Sequence, residues 1–131
     1  TAGLNHVLSS CFDAGTQVTA WYVGLKAAGT VAAGDTMSSH AGWTEVTDYS
    51  QSVRQTLTLG TAASGSIDNV GNLATYSING TVTIAGAFIN SVDTKSGTTG
   101  TLYGAVDFGS ARSVISGDTL TVTVTMTAAS A

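Results

Sequence analysis

The run Asp118–Thr127 constrains this chain more than any other stretch. It reads Asp-Thr-Leu-Thr-Val-Thr-Val-Thr-Met-Thr, so Leu120, Val122, Val124 and Met126 alternate with Thr119, Thr121, Thr123, Thr125 and Thr127. A strand points successive side chains to opposite faces. One face is then fully apolar and the other is a ladder of hydroxyls. A helix would scatter the same residues around its surface, and β-branched side chains are stiff there. The apolar face needs a covering layer, which predicts two packed sheets. The hydroxyl face is polar yet uncharged. That character suits contact with another protein, and Thr121, Thr123 and Thr125 are its candidate interaction residues.

The rest of the chain repeats the theme in shorter pieces. Gln17–Leu25 predicts a central strand with Trp21, Val23 and Leu25 on one face. Gln55–Leu59 predicts a strand with Leu57 and Leu59 inward. Ser66–Val70 predicts another, followed by a Gly71-Asn72 turn. Asn79-Gly80, between Leu73–Ile78 and Thr81–Ile89, carries the signature of a two-residue hairpin. Val82, Ile84, Gly86 and Phe88 would then share a face. Thr101–Phe108 predicts a strand with Leu102, Val106 and Phe108 inward, and 109–117 reads as a loop. About eight strands at even spacing make an all-β chain, an antiparallel β-sandwich or jelly-roll-like domain. Its expected core holds Trp21, Val23, Val82, Ile84, Leu102, Leu120, Val122 and Val124. At 131 residues the chain reads as a single domain over 1–131, with a helix or arm over 1–15 and the sandwich over 16–131.

Ala2–Phe12 is the one helical candidate. Leu4, Val7, Leu8 and Cys11 recur at helical spacing, with Phe12 on the adjoining flank. Asp13-Ala-Gly15 should end it, with Gly15 as the stop. Two readings stand side by side. The segment is an amphipathic lid on the sandwich, or it is an arm that docks on a neighbouring subunit through Leu4, Val7 and Leu8. Cys11 is the only cysteine, which leaves no intramolecular disulfide and no cysteine-based zinc site. A buried thiol is expected. The first residues lack a charged segment followed by an apolar run, so synthesis in a cytoplasm is expected. No stretch reaches the ~18 apolar residues of a membrane helix.

The titratable residues do not assemble into a reaction. His6 and His40 are the only histidines, and neither sits beside an elbow or triad pattern. Asp68, Asp93, Asp107 and Asp118 lie mostly at turns or strand ends, where aspartate serves turn geometry. No phosphate loop or dinucleotide fingerprint is present. We expect no enzyme and no cofactor. Asp35, His40, Glu45 and Asp48 invite a metal reading, but their spacing matches no ligand pattern, so no required metal is expected. Arg54 is expected to pair with Glu45 or Asp48. With four Lys or Arg residues and a net charge of −4, the chain has no basic patch for nucleic acid.

Charged residues make up 9% of the chain, against about 25% in typical domains. Proline is absent altogether. Charge and proline are what usually blunt exposed sheet edges, so the surface is expected to be covered in the working state. Several ordered blocks carry a resemblance. They are Trp21-Tyr-Val-Gly-Leu25, Gly34-Asp-Thr-Met-Ser-Ser-His-Ala-Gly-Trp-Thr-Glu45, Tyr49-Ser50 with Arg54, Ser77-Ile-Asn-Gly80, and Ser116-Gly-Asp-Thr-Leu-Thr-Val-Thr123. Together they resemble a family of small Gly/Thr-rich structural proteins of tailed-bacteriophage virions. The resemblance implies a capsid decoration or cement protein on the outer capsid surface, made in the host cytoplasm. Its implied partners are the major capsid protein and itself, as a trimer, with no direct nucleic acid and no membrane. An alternative is a tail or fibre component that binds host-surface glycans through exposed Trp43, Tyr49 or Tyr103. A third reading is a secreted carbohydrate-binding module.

Overall fold

The computed structural model describes residues 2–129. In chain order the elements are helix α1 (Ala2–Phe12), then strands β1 (Tyr22–Lys26), β2 (Glu45–Val46), β3 (Gln55–Thr56), β4 (Ser66–Asp68), β5 (Ala74–Ser77), β6 (Val82–Asn90), β7 (Leu102–Val114), β8 (Thr119–Val122) and β9 (Thr125–Thr127). The chain is an all-β domain with a short N-terminal helix, and all its strand pairs are antiparallel. One sheet runs β2-β1-β6-β7, with β3 sharing the β2 edge of β1. The β4-β9 and β5-β8 ladders supply the strands of the second layer.

The main core lies between the layers. Val23, Leu25, Ile84, Ala87 and Ile89 meet Ala74, Tyr76, Ile78 and Val122 there. Trp21, Val82, Leu120 and Val124 pack against this cluster half-buried, with Leu59 at its border. A second cluster sits on the far face of the large sheet. Phe88 and Leu102 are capped there by Met37 and Trp43 from the segment between β1 and β2. Strand β6 is therefore covered on both sides, and every residue from Ile84 to Asn90 is buried. Leu102 belongs to this outer cluster and not to the inter-layer core.

Four local expectations are corrected. Asn79-Gly80 makes no hairpin, because β5 pairs with β8 and not with β6. The two residues cross between layers, with Asn79 N–H on the Asp48 carbonyl at 3.2 Å. A side chain at Gly80 would collide with Asp48. Secondly, Ile84 and Phe88 do not share a face. A bulge between Ile84 and Gly86 reverses the alternation, sending Ile84 to the main core and Phe88 to the outer cluster. Thirdly, β7 continues through the expected loop to Val114. Gly86 pairs with Asp107 and Ile84 with Arg112, so Phe108–Ala111 bulge out between them. Fourthly, the helix stop is Ala14, at φ 50°, while the N–H groups of Asp13 and Gly15 both close on the Ser9 carbonyl, at 3.0 and 2.9 Å.

The Asp118–Thr127 run keeps its predicted faces but not its continuity. Ala74 opposes Val122 and Tyr76 opposes Leu120 in one ladder, while Ile67 opposes Met126 in the other. Between them the buried Asn69 side chain completes the ladder. Its Nδ2 donates to the Val122 carbonyl at 3.1 Å, and its Oδ1 accepts from Val124 N–H at 2.7 Å. An amide side chain thus stands in for a peptide group where the strand changes partner.

Candidate interaction surface

Helix α1 is seated by its small and polar side. Gly3 is its one buried residue, and a side chain there would run into the Tyr103 main chain. Helix and β7 thus meet backbone to backbone. His6 Nε2 accepts from Val18 N–H at 3.3 Å, and its ring meets Trp21 edge-on at 5.4 Å. Trp21 in turn meets Tyr103 at 5.8 Å. The apolar stripe of the helix points away from this seat. Leu4 is 65% exposed, Val7 38%, Leu8 56% and Phe12 84%. Leu4, Leu8 and Phe12 follow i, i+4, i+8 spacing on one line. Fully burying one such side chain is worth about 1.5–3 kcal/mol, and this fold leaves the stripe in water. Cys11 is exposed, against the expected buried thiol, and lines a pocket with Val7, Val18 and Trp21 beside the helix seat. The helix turns outward the face that a lid would turn inward.

The hydroxyl ladder is also outward. Thr121, Thr123 and Thr125 are exposed, as are Thr119 and Thr127, while Val122 is 3% exposed. Folding brings the two predicted segments to either side of Tyr103 and Met126. Val7 lines a pocket with these two residues. Thr123 and Thr125 line a neighbouring groove that includes them. Leu4 and Leu8 stand clear on the outer helix face, and Thr121 lies further along on β8, opposite Thr75.

That groove was not foreseen from the sequence. It has a volume of about 450 Å³, and Ala87, Ile89, Val106, Phe108, Val124 and Met126 are among its lining residues. Val106 was expected inward but is 67% exposed. The reason is its place on β7. This strand ends the large sheet, and no strand pairs with its outer edge among the described residues.

Three of the four Lys and Arg side chains are withdrawn from open surface into fixed contacts. Lys26 is buried and paired with Asp107. Arg54 is buried, grips Glu45 through Nε and Nη2 at 2.9 and 2.7 Å, and lies 5.0 Å over the Phe88 ring. Lys95 donates to the Tyr49 and Gln51 carbonyls at 2.8 and 3.0 Å and stands 3.9 Å over the Tyr49 ring. Arg112 is exposed, and its side chain makes no hydrogen bond or ion pair among the described residues. The expected ion pair of Arg54 falls on Glu45.

Three of the four residues that invited a metal reading, Asp35, His40 and Glu45, are otherwise engaged. Asp35 Oδ2 accepts from Ala32 N–H at 3.0 Å and from the Trp43 indole at 2.9 Å. The Ala32 hydrogen bond, foremost, holds its carboxyl below the usual range. His40 stacks on Trp43 at 4.0 Å, and Glu45 also accepts from Ser96 N–H at 2.9 Å. Among the described residues no group of three or more His, Cys, Asp or Glu side chains converges. The rings named for glycan stacking are placed differently from that expectation. Trp43 and Tyr49 are buried, and Tyr103 is half-buried beside the helix. No helix among the described residues is long and apolar enough to cross a membrane.

No protein-family model matches the chain, and no curated protein sequence matches it.

Proposed function

We propose that this chain is a structural protein of a tailed-bacteriophage virion, a decoration or cement protein that binds the outside of the head. It would bridge neighbouring copies of the major capsid protein and so resist the pressure of packaged DNA. It would act as a homo-oligomer, with a trimer the expected state. The observation that carries the reading is the orientation of α1. A helix that exposes Leu4, Leu8 and Phe12 presents a face suited to a neighbouring protein surface. The uncharged threonine face and the scarcity of surface cations support the same reading. Weak contacts of this kind, repeated over many copies, bind by multivalency.

The tail or fibre reading draws no support from Trp43 and Tyr49, which are buried. The test is to mix labelled protein with undecorated heads and compare the full chain with one lacking residues before Asp13. Binding by the full chain, lost on deletion while the sandwich still melts cooperatively, is the expected result. A chain that ignores heads and binds tails or host glycans would overturn the proposal.

A further inference from the structure

Asparagine is a chemically labile side chain, most of all before glycine, where no Cβ blocks attack of the next main-chain nitrogen on the side-chain carbonyl carbon. Of the five asparagines in this chain, Asn79 alone precedes a glycine. A fold suppresses the attack when it holds the amide, the attacking N–H or the backbone between them, or when a bulky residue follows. One of these applies at each of the other four. Asn5 lies inside α1, where helical geometry holds the next N–H along the axis. Asn69 is fully buried, and its amide serves Val122 and Val124. Asn72 is followed by the bulky Leu73. Asn90 is buried, its Nδ2 donates to the Val92 and Thr99 carbonyls at 3.2 and 2.9 Å, and Ser91 N–H is bonded to the Thr101 carbonyl at 3.1 Å.

Position 79 differs on every count. Asn79 is exposed, and residues 79–81 lie between β5 and β6 in neither strand. Neither the Asn79 side-chain amide nor the Gly80 N–H makes a hydrogen bond among the described residues. The flanks are fixed all the same. Ile78 N–H donates to the Asp118 carbonyl at 2.8 Å and the Ile78 carbonyl accepts from Gly117 N–H at 2.9 Å. The Asp48 carboxylate stands against Gly80, so close that a side chain there would meet it. We infer that Asn79 is a self-modification site, converted within the folded protein to aspartate and isoaspartate. The Gly80 nitrogen bonds to Asn79 Cγ, the Cγ–Nδ2 bond breaks, and ammonia leaves with the proton that the Gly80 nitrogen gives up. Water then opens the cyclic imide at either carbonyl. One opening gives aspartate. The other gives isoaspartate, whose main chain runs through the former side chain and is one methylene longer. Either product adds a negative charge beside Asp48, and isoaspartate also displaces Gly80 from its place against that carboxylate. Conversion therefore loosens the crossing between the two layers. The chemistry belongs to the chain itself and holds whatever partner the chain binds.

The full chain, aged in mildly alkaline buffer, tests this by peptide mapping with mass spectrometry, and enzymatic methyl labelling scores isoaspartate. Asn79 is expected to convert first, with the other four asparagines intact. Its rate should lie within about tenfold of that of the same chain unfolded in guanidinium, since each ~1.4 kcal/mol of restraint on the attack slows it tenfold. Asn79→Gln should fold, because the site is exposed, and should stay unmodified, because its longer side chain closes a larger and slower ring. The converted fraction, separated by anion exchange, should melt below the native chain, while an equally aged Asn79→Gln chain keeps its melting temperature. Earlier conversion of another asparagine would overturn the assignment. A folded rate below the tenfold bound would mean that the native crossing protects Asn79, and would overturn it as well. A converted fraction that melts with the native chain would overturn the coupling to the layer crossing.

Discussion

Tyr76 and Val23 are tied across the two layers. The Tyr76 hydroxyl donates to the Val23 carbonyl at 2.7 Å, deep in the core. The neighbouring Tyr49 ring meets Tyr76 edge-on at 4.9 Å, yet its own buried hydroxyl has no protein partner among the described residues. The two tyrosines therefore separate the value of a ring from the value of its hydroxyl. Tyr76→Phe should lower stability by about 1–3 kcal/mol, the usual cost of leaving a buried group without its bond. Tyr49→Phe should be neutral or stabilising. Urea unfolding of both variants checks the pair, and equal losses would contradict this assignment.

Both hydroxyls also predict an alkaline limit. Burial, foremost, pushes the Tyr49 and Tyr76 phenols above their ordinary value of 10.0. The unfolded chain ionises these groups near pH 10 while the folded chain does not. Stability from this source is whole below pH 10 and falls as pH rises above it, because the unfolded state then binds fewer protons. Tyr49 and Tyr76 should add their tyrosinate absorbance only as the fold is lost, which an alkaline titration followed by absorbance and circular dichroism together will check.

Asn69 is predicted to matter more than its turn position indicates. Asn69→Ala would strand the Val122 carbonyl and the Val124 N–H, each at about 1–3 kcal/mol. Asn69→Asp keeps the acceptor for Val124 but sets a carboxylate against the Val122 carbonyl at a fully buried site, so its loss should exceed that of Asn69→Ala. Thermal melts of the three chains test the order.

The register of the threonine run is open to a direct comparison. Val122→Asp places an unpaired charge at a site that is 3% exposed, and it should abolish folding. Thr123→Asp sits on the exposed face and should leave the melt unchanged. Similar behaviour of the two would mean a register shifted by one residue.

Much of this was legible in the residues, and the misses share one cause. The helix boundaries Ala2–Phe12 followed from apolar spacing and the chain's own turn chemistry. The two faces of 118–127 followed from alternation, and Arg54 met Glu45 as sequence proximity predicted. Periodicity, however, says which residues share a face and not what lies against it. That is why Cys11 and Val106 were expected inside and stand outside. The Asn79-Gly80 hairpin failed because β5 finds its partner in β8, a choice made by distant residues. The break after Val122 was hidden for the same reason. Its cause is an asparagine side chain arriving from the β4–β5 turn, and a local pattern of alternating threonines carries no trace of it.

The central position of β6 has a consequence for the order of events during folding. Strand β1 pairs with β6 from Tyr22↔Asn90 to Lys26↔Gly86, so its central partner is synthesised long after it. Such non-local pairing must first meet the entropy of closing a long loop, and sheets built this way fold slowly. Until β6 arrives, Val23 and Leu25 have only the two-residue strands β2 and β3 to pair with. A nascent chain truncated before Val82 should remain unstructured and prone to aggregate, whereas release of the segment through Val114 should bring the large sheet together in one cooperative step.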